Sequence, residues 1–329
     1  MTLRFMRSYL WYLIGLVALL VLPQVVSSPY IMFLLNMAII FVILALGLNV
    51  VFGMTGMLNL ASLAFSGIGA YTSGILAVKL GLPFPLALIG AVVVAMLFGL
   101  MVGLPTIRIG GHYLAFMTIA FGEIMRLIFQ NWTPVTGGAL GLSGIKYASI
   151  GPLVLKTHWS YYHLSLTLLV IMVYVANRIR VSKLGRAFEA VRGSEVAARA
   201  LGINTYYHKV LAFVLGAAFG GVAGTLYAFL MRYVDPGTFT FEESARVLTM
   251  VMVGGRGSIP GVIIGAFLLT FLPEWLRFLK DYYMAMYGLG ILLIVLFLPG
   301  GVISLWDKVR SRFAAGRRAP AAQTSAGKR

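Results

Sequence analysis

IMFLLNMAIIFVILALGLNVVFG, residues 31–53, is the stretch whose reading decides the fold. It carries no Lys, Arg, Asp or Glu, and neither does the sequence around it from 8 through 78, a run of 71 residues that Lys79 ends. A helix that crosses a bilayer needs roughly 20 apolar residues, so this run holds about three crossings. Further windows without those four residue types run 80–107, 109–122, 157–177, 210–231, 257–273 and 282–306. Backbone polar groups must satisfy one another inside lipid, which makes these windows mainly helical. A β-barrel would show ten-residue strands alternating toward a polar lumen, and the continuous Leu, Val and Ile runs do not alternate. The expected fold is all-α: a polytopic transmembrane helical bundle of about eight to ten membrane segments, with one broken or re-entrant pair.

Composition agrees. The chain of 329 residues is 60% hydrophobic and 11% charged, with a mean hydropathy of +0.94. A net charge of +17 would point a soluble protein toward nucleic acid, but here placement matters more than the sum. Arg4 and Arg7 precede the first span, seven basic residues lie in 178–209, and seven more lie in 308–329. The positive-inside rule puts all three segments, and both termini, in the cytoplasm and leaves no role for nucleic acid. The expected organisation is a transmembrane domain over 1–307, with a cytoplasmic loop at 178–209, followed by a basic, disordered tail over 308–329.

Spans are expected near 9–27, 31–53, 58–78, 83–104, 112–131 and 160–178. The first follows two arginines, but its apolar run is long for a signal peptide and further spans follow at once, so it reads as retained. Six crossings bring the chain inside at Arg178, as the charges require. Arg108 then falls in an inner turn, and 132–159, with TGGALGLSG and the anchors Trp132, Tyr147 and Trp159, falls outside. Residues 210–231 cross outward and leave RYVDPGTFTFEES on the outer face. Segments 247–253 and 262–272 are short and are separated by GGRGSIPG, and 282–298 returns the chain inside. The short segments form either a re-entrant pair or two short crossings with an inner GGRGS turn.

Small residues recur at Gly99 and Gly103, at Gly216, Gly220 and Gly224, and at Gly261 and Gly265, a spacing that lets helix backbones approach in lipid. Other glycines interrupt hydrophobic segments in both halves of the chain: Gly53, Gly56 and Gly67 in GMTGMLNLASLAFSGIGAY, and Gly254 and Gly255, with Ser258, in GGRGS. Interrupted segments of this kind mark translocation sites in transporters. With the polar residues Asn59, Ser62 and Thr118, which could instead bond between helices, they are the candidate pathway. Glu123 and Arg126 form an i,i+3 pair in the fifth span, read either as a functional charge pair or as a salt bridge near the interface.

Several chemistries are excluded. Cysteine is absent, which removes disulfides, thiolate metal sites and Cys nucleophiles. His112, His158, His163 and His208 have no ligand spacing, and there is no GxxxxGK[ST] or GxSxG, so no metal, cofactor or enzyme activity is expected. A proton-coupled carrier would carry several buried acids, and Glu123 is the one acidic residue inside an expected span. That points to energy supplied from outside the chain. In the basic loop, Ser194 reads as an N-cap, Glu195 and Arg199 as an i,i+4 pair, and Gly202 as the stop of a short helix.

Six blocks, GLNVVFGMTGMLNLASLAFSGIGAY, GHYLAFMTIAFGEIMR, TGGALGLSG, KLGRAFEAVRGSEVAARALGIN, LAFVLGAAFGGVAGTLYA and VMVGGRGSIPGVIIGAF, resemble in joint order the permease subunits of branched-chain amino-acid ABC importers, LivM type. The resemblance implies that this chain pairs with a second homologous permease, that two cytoplasmic ATP-binding subunits dock on the inner loops, and that an extracytoplasmic solute-binding protein delivers substrate. It implies that the loop from Gly185 to Asn204 is the docking element, with Gly185, Arg186, Glu195, Ala198, Arg199, Leu201 and Gly202 as coupling residues. The general importer pattern EAAxxxG is departed from: Val196 follows Glu195, and Gly202 lies seven residues after Glu195 rather than six. An ion-coupled secondary transporter is the alternative.

Overall fold

The computed structural model describes residues 28–107 and 111–282, and beyond them positions 286, 288, 289, 292, 296, 301 and 302. The expected span at 9–27, the turn at Arg108, the span at 282–298 and the tail at 308–329 lie outside the continuously described residues.

Helix α1, Pro29–Leu48, has Pro at its first position and continues through a π-helical turn, Asn49–Met54. Residues 55–61 are not regular helix apart from Thr55, and α2, Ser62–Lys79, begins four residues later than the expected 58. The cause is Gly56, whose φ of +77° a helix cannot hold. Then come α3, Phe84–Gly103, and α4, His112–Asn131, close to their expected limits. The one-turn α5, Thr133–Thr136, leads into glycine turns and the hairpin of β1, Ser149–Ile150, with β2, Leu153–Val154. Helix α6, His158–Val181, starts with a capping box between Thr157 and Ser160. Two short helices follow, α7, Lys183–Gly193, and α8, Glu195–Ala200, and then α9, Thr205–Met231. Helices α10, Phe241–Gly254, and α11, Ile259–Trp275, complete the described bundle.

Five helical segments are long and apolar enough to cross a membrane: Pro29–Met54, Phe84–Gly103, Tyr113–Asn131, His158–Val181 and Thr205–Met231. α9 and the α1 segment form the centre, 67% and 72% buried over their most apolar windows, whereas α3, α4 and α6 present about two thirds of theirs outward. The glycines at the centre behave as the sequence predicts. A Cβ on Gly69 would lie 2.6 Å from Gly221, one on Gly99 2.6 Å from the Ala217 methyl, and one on Gly265 2.4 Å from the Met250 carbonyl. Side chains there would push the helices apart. Polar glue adds to this: Asn36 on α1 donates to the carbonyls of Met32 and His158 and accepts from Ser165 on α6, and the Tyr161 hydroxyl donates to the Leu226 carbonyl.

Two faces define positions along the bundle. The loop face carries α7 and α8, and the opposite, hairpin face carries β1 and β2. α10 and α11 are antiparallel helices joined by the Gly255 to Ser258 turn on the loop face, and α11 runs back until Glu274 meets the Tyr30 hydroxyl at the start of α1. The stretch RYVDPGTFTFEES joins α9 to α10, with Arg232, Tyr233, Gly237, Phe241 and Glu242 exposed and Val234, Pro236, Phe239 and Ser244 buried. After Met231 the chain turns back along α2: the Tyr71 hydroxyl donates to the Val234 carbonyl, Phe239 packs against Gly67, and Ser244 bonds the Leu63 amide. Phe241, Glu242, Glu243 and Arg246 are the first turns of α10, capped by Thr240.

Candidate functional site

The interrupted segments meet at two levels. At the loop face, the π turn of α1 crosses the turn between α10 and α11. The Gly257 amide donates to Asn49 Oδ1 at 2.9 Å, and a Cβ on Gly53 would lie 2.7 Å from that same amide. Gly254 packs on Gly261 at a distance that admits no side chain, Gly255 has φ +111°, and the Ser258 hydroxyl caps α11 by accepting from the Gly261 amide. Arg192, from the last turn of α7, enters this seam. Its Nη1 donates to the Gly53 carbonyl at 2.5 Å and lies near Gly257, and its side-chain stem covers Gly56. One arginine side chain therefore joins the surface helix pair to both interrupted segments of the bundle, and a charged donor makes this a strong class of hydrogen bond. Asn49 Nδ2 is buried there without a partner.

Deeper in the bundle, α2 rising from Ser62 and α10 descending from Phe241 begin side by side, so the positive ends of two helix dipoles converge. Asn59 shapes the approach to α2, accepting from the Ala61 amide, and Thr118 on α4 accepts from the Leu60 amide. Ser62 Oγ is buried with no partner. Gly67 makes room for the rings of Phe129 and Phe239. The sequence-predicted pathway residues thus divide: Gly53, Gly56, Gly254, Gly255 and Ser258 lie at the loop-face seam, and Asn59, Ser62, Gly67 and Thr118 lie deeper, around the start of α2.

Beside that start is a cavity of about 420 Å³ between α1, α2 and α10, lined by Phe41, Leu63, Thr240, Glu243 and Arg246 among others. The Arg246 guanidinium stands 5.3 Å from the Phe41 ring, and Phe41 is near the middle of the Pro29–Met54 segment, about 18 Å from either end at 1.5 Å per residue. Glu243 and the exposed Glu242 also line this cavity. Glu123 itself is on the outward side of α4, holding Arg126 at Nε distances of 3.0 Å, with Gln130 taking the remaining donor. It is a local pair on the exposed surface of its helix.

On the loop face, the capped helix appears as the sequence predicts. Ser194 Oγ accepts from the Ala197 amide, Glu195 meets Arg199 at 3.3 Å, and Gly202, at φ +81°, closes the helix, with the Gly202 and Ile203 amides bonded to the Arg199 and Ala198 carbonyls. Glu195 also pairs with Lys209, which is 7% exposed, and so clamps α8 to the base of α9. Gly185 and Ala198 face inward; a Cβ on Gly185 would lie 2.2 Å from the Arg180 carbonyl. Val196 and Leu201 stand out at 76% and 79% exposure, an apolar pair on a polar helix. Arg186 is near the Val181 carbonyl at 3.4 Å. Among the described residues, no group of three or more His, Cys, Asp or Glu could hold a metal.

This arrangement, a bundle with paired interruptions tied to a capped surface helix, agrees with the comparisons to known proteins. The family model described as the permease component of the branched-chain amino acid transport system matches residues 30–297. The chain belongs to this family. Among its relatives, the high-affinity branched-chain amino acid transport system permease protein LivM of Salmonella typhimurium is 37% identical over 310 residues, covering 86% of this chain and 73% of the relative. LivM of Escherichia coli K12 is 38% identical over 317 residues, covering 88% and 74%. LivH of Escherichia coli K12, a permease protein of the same transport system by name, is 26% identical over 283 residues, covering 80% and 91%. No solved structure gives a significant match. As a member of this permease family the chain is a multi-pass membrane protein, and its named relatives are transport components.

Sequence reasoning missed Arg192, Asn49 and the Glu242, Glu243 and Arg246 group. For the last, a signal was present: Thr240-Phe-Glu-Glu243 is a capping-box pattern that announces a helix start. For Arg192 there was none, since it is one of seven cations in its stretch and its partner lies 139 residues away.

Proposed function

We propose that this chain is one of two homologous permease subunits of an ATP-driven importer of branched-chain amino acids, set in the plasma (inner) membrane with the loop face and both termini in the cytoplasm. Two ATP-binding subunits dock on α7 and α8, and a solute-binding protein delivers substrate to the hairpin face. The observation that carries the reading is the Arg192 bond to Gly53. It makes a surface element, with Val196 and Leu201 exposed for a partner, mechanically continuous with the interrupted segments. Closure of the ATP-binding subunits displaces α7 and α8, Arg192 transmits this to the π turn and to the Gly257 turn, and the loop-face ends of α1, α10 and α11 move together. The similarity to both LivM and LivH supports pairing between related permeases.

Leucine uptake by the reconstituted complex tests this. A hydrogen bond to a charged group is worth about 1.5–3 kcal/mol, so Arg192→Ala is expected to cut ATP-driven uptake by about tenfold or more, with co-purification of the ATP-binding subunits retained. Unchanged uptake would remove the coupling role. Uptake that persists without ATP-binding subunits and collapses with an ion gradient would replace the whole reading with an ion-coupled carrier.

A further inference from the structure

The cavity beside α10 contains more chemistry than packing requires. Arg246 sits near mid-bundle, where an ionised side chain is costly unless it has a function or full partners. Its partners are incomplete: Nη2 reaches the Leu269 carbonyl at 3.3 Å, Nη1 meets Glu243 at 3.5 Å, and Nε is buried with no acceptor. Glu242, one residue earlier, makes no ion pair among the described residues. The group thus holds one guanidinium with spare donor capacity and two carboxylates. The opposite wall is apolar and comes from one stripe of α1, Met37, Ile40, Phe41 and Leu44, at i, i+3, i+4 and i+7. A volume of about 420 Å³ lies within the roughly 300–1,000 Å³ of small-molecule sites.

We infer that this cavity is a transit site for a zwitterionic amino acid with an apolar side chain. Arg246 takes the carboxylate, Glu242 and Glu243 take the ammonium, and the α1 stripe takes the side chain. This rests on the proposed function and adds the place where the permease itself holds the substrate. A carboxylate supplies the two parallel acceptors that a guanidinium fork matches. A simple cation would leave Nε and the apolar stripe unused, and a simple carboxylate would leave Glu242 unpaired. Each half of the zwitterion answers a different part of the cavity.

Equilibrium dialysis of radiolabelled leucine against the purified permease complex, without solute-binding protein, tests the site. Saturable binding is expected, weakened at least tenfold by Arg246→Gln and at least threefold by Glu242→Gln. Glu242 is exposed and outside the packing, so its variant reports even if the Arg246 variant fails to assemble. 3-Methylbutylamine and 4-methylpentanoate, leucine without its carboxylate and without its amine, are each expected to compete at least tenfold less well than leucine. No saturable binding to the unaltered complex, equal binding by both variants, or competition by the amine as strong as by leucine would each overturn the site. If the unaltered complex takes up leucine but any of these results is found, only the site fails. If it takes up no branched-chain amino acid, the proposed function fails.

Discussion

Helix α2 has two sides that behave oppositely. Toward α9 it is closed: a Cβ on Gly224 would lie 1.9 Å from the Ser66 carbonyl, and Gly69 faces Gly221 backbone to backbone. Toward α10 it is open, with hydroxyls, a cavity, a guanidinium and buried polar atoms lacking partners. In lipid there is little hydrophobic drive between helices, so close approach is what fixes one pair, and unfilled polar capacity is what frees the other. The comparison separates a part of the bundle built to stay together from a part built to exchange partners.

Three substitutions along α2 and its neighbours probe that contrast. Gly224→Ala forces a methyl into the closed side and is expected to cost about 2–3 kcal/mol, read as a clear drop in the thermal unfolding midpoint in detergent. Ser244→Ala removes the acceptor of the Leu63 amide on the open side, and about 1 kcal/mol is expected from the same measurement. Ser62→Ala deletes a hydroxyl that has no partner and is expected to change stability by less than about 0.5 kcal/mol. A Ser62 variant as unstable as the Gly224 variant would break the comparison, because the open side would then be as tightly committed as the closed one.

The same contrast explains what the sequence could disclose. The closed side rests on glycine spacing and continuous apolar runs, both local patterns, and the spans at 31–53, 83–104, 112–131 and 160–178 emerge within a few residues of their helices. The helix starts differ most from expectation where polar residues enter the bundle. Thr205 to Lys209 extend α9 under an Asn204 cap, and Glu242 to Arg246 open α10, where charge and hydroxyls interrupt the apolar pattern that marks the other helices. The Arg192 bond depends on tertiary approach alone, and no spacing rule reaches across it. The capped helix from Ser194 to Gly202 was legible because capping is written in adjacent residues.

The π turn at Asn49–Met54 has one further implication. A π ring closes over one residue more than an α ring, so this stretch holds a spare residue in its register. Releasing that residue would rotate everything beyond it by about 100°, the angle between successive residues of an α-helix. The Gly53 carbonyl, which Arg192 grips, would turn away from it. Such a shift would act as a one-residue ratchet tooth at the point where Arg192 takes hold. Deleting Val51 removes the tooth, and loss of ATP-driven uptake in a correctly assembled complex is the expected outcome. Full uptake would mean that the tooth never advances.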